Sequence, residues 1–249
     1  MSWVLVTGAG RRLGRAVALD LARHGWSIAA HYNESREGAD ALAAEARTYG
    51  VEAAALNADL IDAATLAPLV EAAQDAAAGQ LTALVNAAAL FEHDVIDTLD
   101  AERLARHMNL NALAPALLAR AFAASLSEGA RGAVVNFLDF KLASPYPDHF
   151  SYTLSKYALS GATELLARAL SPHVRVNAVA PGYVLAAPGQ SELAHDRLHA
   201  DTPLHYGPAP EDVAHAVRFL MENPAVTGQT IYVDAGRRFR SFERDMAFM

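Results

Sequence analysis

The chain has no cysteine and only two lysines, Lys141 and Lys156, among its 249 residues. The first absence excludes disulfides and thiolate metal sites. The second leaves arginine as nearly the whole basic complement, and the formal net charge is −8. That balance argues against binding nucleic acid or an anionic membrane surface, both of which reward a positive face. No run of about 18 uninterrupted apolar residues occurs, so no membrane span is expected. The opening "MSWVLVTGAG" lacks the basic and long apolar regions of a secretory signal, and a reducing cytoplasm is the expected compartment. Charged residues are scarce at 19%, whereas apolar residues reach 53%, enough to fill a sizeable core.

Short β-rich runs alternate with longer Ala/Leu-rich segments. Strands are expected at 3–7, 27–32, 51–58, 81–88, 132–138, 174–181 and 229–236. Helices are expected at 12–25, 36–49, 62–78, 100–127, 150–170 and 210–222, the last with proline in its first turn. Residues 182–209 read as a loop with a short helix. The alternation implies right-handed βαβ crossovers and a mostly parallel sheet covered on both faces. With no linker, repeat or low-complexity tract, 1–249 reads as a single α/β domain.

"TGAGRRLG" (7–14) lies between the first strand and the first helix. Gly8 and Gly14 permit a tight turn close to a pyrophosphate, which the helix N-terminus would receive. An acid after the second strand would favour NAD, but "HYN" at His31, Tyr32 and Asn33 offers none. Arg11 and Arg12 stand ready for a 2′-phosphate, so NADP is favoured. Glu34 opposes this reading and Arg36 offsets it; both also fit a plain solvated surface. Asp59 is placed to accept from an adenine amino group.

Tyr152 and Lys156 are four apart and share one helical face. An ammonium beside a phenol favours the phenolate and eases proton transfer near neutral pH. Such a pair makes a proton donor beside a hydride donor, as reduction of a carbonyl or imine requires.

These residues stand within a larger set: "TGAGRRLG", "ADL" (58–60), "LVNAAA" (84–89), "NALAP" (111–115), "YTLSK" (152–156), "RVNAVAPG" (175–182) and "VTGQTIYVDAG" (226–236). Together they resemble the short-chain dehydrogenase/reductase family across the whole chain. The resemblance implies a Rossmann-type, doubly wound sheet of seven parallel strands with helices on both faces. It implies Tyr152 as proton donor and Lys156 on the nicotinamide ribose. It also implies a water-linked relay through Asn111, for which Asn109 competes. Cofactor contacts are implied at Gly8, Arg11, Arg12, Leu13, Gly14, His31, Tyr32, Asn33, Ser35, Asp59, Leu60, Asn86, Ala87, Ala88, Tyr152, Lys156, Pro181 and Gly182. No metal is required, and the spacing of His195, His199 and His205 fits no compact metal site.

Three departures stand out. Arg12 replaces the family's middle glycine. Ala87 in "NAAA" removes a side-chain brace of the sheet. Asp139 stands where a serine usually precedes the tyrosine by thirteen residues. Arg12 in the glycine turn, "HYN" at 31–33, Phe91 and Asp139 together resemble the pteridine reductase branch. That resemblance implies a pterin held between nicotinamide and Phe91, with Arg12, Asp139, Tyr152, Tyr183 and Leu185 in the pocket. A carboxylate can accept from pterin N–H groups, and in a closed, partly apolar site its pKa should rise. Asp139 could instead merely cap the next turn, Phe91 could be a core or lid residue, and Lys141 could sit at the site mouth or be solvated. The resemblance makes the segment 183–209 a substrate lid and 237–249 a tail that packs in a homotetramer, with a disordered tail as the competing reading. The expected reaction is NADPH-dependent reduction of a dihydropterin to a tetrahydropterin. The rivals are reduction of a ketone or 3-oxoacyl thioester, and a non-catalytic NADP-binding sensor.

Overall fold

A computed structural model describes residues 2–186 and 190–240. One sheet of seven parallel strands runs in the order β3-β2-β1-β4-β5-β6-β7. The strands are β1 (Trp3–Thr7), β2 (Ser27–Tyr32), β3 (Ala53–Asn57), β4 (Leu81–Asn86), β5 (Gly132–Phe137), β6 (Val174–Pro181) and β7 (Thr230–Val233). The helices are α1 (Arg12–Arg23), α2 (Arg36–Thr48), α3 (Leu66–Ala76), α4 (Ala101–Met108), α5 (Ala114–Ser125), α6 (Phe150–Ala169), α7 (Glu192–Ala200) and α8 (Pro210–Glu222).

Successive residues of β1 enter opposite cores, as the strand period requires. Val4 and Val6 pack with α1, α2 and α8, while Trp3 and Leu5 pack with α3 and α5. Every residue of β1 and β5 is buried, the mark of parallel strands covered on both faces. The alanines of β2 and β3 are weak strand formers. Pairing and burial between helices override that preference.

The helix expected over 100–127 is two helices joined by a π-turn at Asn109–Leu113. Pro115, at the start of α5, has no N–H to return to Asn111, so the ladder opens there. The sheet order reverses between β1 and β4, and their C-terminal ends open a crevice at that switch point. Gly8 follows β1 there, Ala88 follows β4, and Asp139 follows β5. Among the described residues, no helix is long and apolar enough to cross a membrane.

Candidate active site

The glycine turn is sterically dictated. Gly8 has φ +66°, and a Cβ there would lie 3.0 Å from the Cα of Ala88. A Cβ on Gly14 would lie 2.3 Å from the Gly8 carbonyl oxygen. Among the described residues no side chain caps α1, so its first N–H groups are available to a phosphate. Arg11 is exposed on the same turn. The start of α2 sits against the turn: a Cβ on Gly38 would lie 2.5 Å from the Gly10 carbonyl oxygen. Ser35 leads that helix without a side-chain cap. Asn33 is exposed beside it, its carbonyl held by Asn57 Nδ2 at 2.7 Å. These donors and exposed groups fit a phosphorylated dinucleotide.

Several residues expected at the cofactor hold the frame instead. His31 is buried; its Nδ1 accepts from Gly8 N–H at 3.1 Å, and its Nε2 lies 3.0 Å from the Ala58 carbonyl. A carbonyl can only accept, so the proton sits on Nε2 and the ring has no donor left for a phosphate. Asn86 is buried and donates to Asn136 at 2.8 Å, and Asn136 donates to Thr163 at 2.9 Å. Asp59 accepts from Ile61 N–H, Leu60 is buried, and Gly182 gives β6 close passage past Asp234. The brace lost at Ala87 is supplied by Thr7, whose hydroxyl accepts from the N–H of both Ala87 and Ala88 at 3.0 and 3.1 Å. Thr7 was visible in the sequence as the first residue of "TGAGRRLG", with no bracing role assigned to it.

Burial lowers the pKa of His31 below its ordinary 6.5, against weaker opposing pulls from the Ala58 carbonyl and Asp59. The folded chain therefore binds this proton less readily than the unfolded one. The stability it contributes is complete above 6.5 and is lost as pH falls below that value toward the depressed folded pKa. Urea midpoints measured from pH 7.5 down to 5.5 should fall, and His31→Leu should show a shallower slope. The variant should also lose about 1–3 kcal/mol at pH 7.5, because Gly8 N–H keeps no acceptor.

The reacting groups meet beside the ends of β4 and β5. Tyr152 Oη donates to Asp139 Oδ2 at 2.7 Å. Asp139 Oδ1 also accepts from Lys141 N–H at 2.9 Å, so the residue caps a turn and serves the site at once. Burial raises the Asp139 pKa; the Lys141 N–H, the Tyr152 hydroxyl and the ammonium groups of Lys156 and Lys141 oppose that rise. Lys156 is buried and donates to the Phe137 carbonyl at 2.7 Å. Desolvation brings its pKa down to about 8, with Asp139 pulling it back up. Its Nζ lies 5.6 Å from the centre of the Tyr152 ring.

Lys141 is neither solvated nor at the mouth: it is 3% exposed, donates to the Asp148 carbonyl and lies 3.9 Å over the Tyr146 ring. The chain's two lysines are thus both buried, with Asp139 answering to both. Asn111 is fully buried in the π-turn. Its Oδ1 accepts from Leu90 N–H at 2.8 Å, and its Nδ2 donates to the Leu90 carbonyl and to Ser155 Oγ, both at 2.9 Å. The side chain therefore clamps the Leu90 segment to α6.

Phe91 follows that clamp and is 48% exposed. Its ring centre is 4.7 Å from that of Tyr152, edge-on at 86°. Arg12 has φ 51°, the left-handed backbone a glycine would take freely. Its guanidinium is turned away from the glycine turn and donates to the carbonyls of Leu185 and Ala186 at 3.1–3.4 Å. It therefore fastens the lid segment in this structure. Leu185 packs on the core, and Tyr183 Oη lies 3.4 Å from Tyr146 Oη. His199 Nε2 holds the Tyr183 carbonyl at 2.7 Å, and its ring centre lies 4.1 Å from that of His195 with the planes tilted by 57°, while His205 is exposed. Residues 187–189 of the lid and 241–249 of the tail lie outside the described residues. Arg237 and Arg240 tie the start of the tail to Asp201 beside α7. Among the described residues no group of three or more His, Asp or Glu side chains is placed to hold a metal ion.

Comparison with known proteins agrees with this geometry. Residues 8–238 match the sequence profile of a family described as enoyl-(acyl carrier protein) reductase. An uncharacterized oxidoreductase of Methylorubrum extorquens is 34% identical, over 94% of this chain and 96% of its own. A 3-oxoacyl-[acyl-carrier-protein] reductase of Synechocystis is 31% identical, over 93% and 95%. Among solved structures, FolM alternative dihydrofolate reductase 1 from Brucella canis, complexed with NADP, superposes with a TM-score of 0.90. It is 38% identical and covers 96% of this chain and 95% of its own. The matched length, the seven-stranded sheet and the Tyr152–Lys156 pair on α6 place the chain in the short-chain dehydrogenase/reductase family of oxidoreductases.

Proposed function

We propose that the protein is an NADPH-dependent reductase that converts a dihydropterin to a tetrahydropterin. One observation carries the reading: the Tyr152 hydroxyl donates to the carboxylate of Asp139 beside an exposed, edge-oriented Phe91 ring. A flat heteroaromatic can stack on that ring with its polar edge toward the Tyr152–Asp139 pair. The Brucella neighbour, named a dihydrofolate reductase and solved with NADP, supports the same substrate and cofactor class. The absence of an acid at residues 31–33 and the exposed Arg11 favour the 2′-phosphorylated dinucleotide.

The bound nicotinamide supplies a hydride to a ring carbon, and the chain's task is the proton for the adjacent ring nitrogen. Tyr152 gives the proton on Oη to that nitrogen, and a proton taken up from water through Asp139 replaces it on Oη. Lys156 places a positive charge beneath the pair. Closure of the 183–209 lid excludes water from it, with Arg12 as one of its fastenings. The product gains one C–H and one N–H across a former C=N bond.

The rival substrate, a 3-oxoacyl thioester, has the Synechocystis relative in its favour. Ketone reduction builds negative charge on oxygen, which needs donors, and the Asp139 carboxylate is an acceptor. NADPH oxidation followed side by side with a dihydropterin, dihydrofolate and an oxoacyl thioester, and repeated with NADH, decides between them. Turnover of the thioester alone would overturn the reading; tight NADP binding without turnover of any would make the protein a sensor. We read the assembly as a homotetramer because the family resemblance implies one; Leu154 and Leu165, 42% and 68% exposed and about three turns apart on one face of α6, offer it an apolar contact surface.

A further inference from the structure

Phe91 lies in a stretch with no regular secondary structure, yet both of its chain neighbours and its ring are held. The residue before it, Leu90, is clamped through both N–H and C=O by Asn111. The residue after it, Glu92, gives its carbonyl to His149 Nδ1 at 2.9 Å. Two residues further on, Asp94 is fully buried at the start of α6. Its carboxylate accepts from the N–H and hydroxyl of Ser151, and its carbonyl accepts from Phe150 N–H at 3.2 Å.

The ring itself is fixed as well. The imidazole of His149 lies parallel to it, with centres 4.1 Å apart and planes 13° apart. His149 is only 2% exposed and adopts the left-handed backbone conformation, φ 54° and ψ 50°. For a residue other than glycine that conformation is uncommon, and here it turns the imidazole onto Phe91. His93 meets His149 edge-on at 5.1 Å. An aromatic ring so held, and still half exposed, is a rigid surface awaiting a flat partner.

We propose that His149 is a positioning residue that backs Phe91 as the stacking platform for the substrate, so that it helps select flat heteroaromatic substrates. Its effect runs through the Phe91 ring on which it stacks. The inference rests on the pterin reading of the site.

The test compares His149→Asn with His149→Phe. Asparagine tolerates the left-handed backbone and can still donate to the Glu92 carbonyl, so it removes only the ring. His149→Asn should raise KM for a dihydropterin about three- to tenfold, the size of one lost aromatic contact. Its kcat and NADPH affinity should stay within about twofold. His149→Phe restores a ring and should recover most of the loss. Added to Phe91→Leu, His149→Asn should change KM no further, whereas a merely structural role would show additive losses. If His149→Asn does not fold, His149→Gln takes its place. A wild-type KM in the ring-less variant, an equal loss in His149→Phe, or additivity with Phe91→Leu would each overturn the inference. Absence of dihydropterin turnover by the unaltered protein would instead overturn the pterin reading beneath it.

Discussion

Replacing Tyr152 with phenylalanine should lower kcat for the dihydropterin by about 10² to 10⁴, the usual worth of a positioned general acid. Phenylalanine fills the same buried volume and keeps the edge contact with Phe91. What goes is the hydroxyl 2.7 Å from Asp139, and with it the proton that Tyr152 would deliver. NADPH affinity, read by fluorescence titration, should hardly move. In the unaltered enzyme the rate should fall as pH rises through about 8, where Lys156 loses its charge. A Tyr152→Phe enzyme that keeps more than a tenth of wild-type turnover removes the phenol from the mechanism.

The parts of this molecule that follow from local pattern could be read from the chain. The strand β1, the turn at Gly8 and Gly14, and the helix carrying Tyr152 and Lys156 stand close to where the residue pattern puts them. They are governed by period, by glycine's freedom and by helical spacing, all of which act over a few residues. The sheet edges were overestimated: β3 covers 53–57 and β7 covers 230–233, because an edge strand extends only as far as its single neighbour pairs with it.

What escaped depends on partners distant in sequence. Lys141 looked solvated, yet a carbonyl seven residues on and an aromatic face take it inside. His31 looked like a cofactor contact; its ring is consumed by Gly8 and Ala58, on two other strands' loops. Arg12 looked like a phosphate ligand and instead reaches the lid 174 residues away. His149 carried no motif at all, and its stacking on Phe91 exists only after α6 has docked on the 90–94 loop. The break at Pro115 was the one miss with a local signal, a proline inside a run assigned to one helix.

Changing Asp139 to serine should turn the enzyme away from pterins. Dihydropterin kcat/KM should fall about 100-fold, since the acceptor for the Tyr152 proton and for the substrate's N–H groups is withdrawn. A serine hydroxyl can donate to a developing oxyanion, so turnover of a simple ketone should rise from its starting level. The pH profile gives a second reading. Asp139 is the carboxylate whose charge holds the Lys156 pKa up against burial. Without it Lys156 should lose its proton at lower pH, and the alkaline limb near 8 should move toward neutrality. Asp139→Ala separates the two effects: it should shift the limb as serine does, because the charge is gone, without gaining ketone activity, because a methyl group offers no donor. An unchanged ratio of pterin to ketone turnover in Asp139→Ser would show that specificity resides in the stacking platform and the lid, with the carboxylate only a cap for the turn at Lys141.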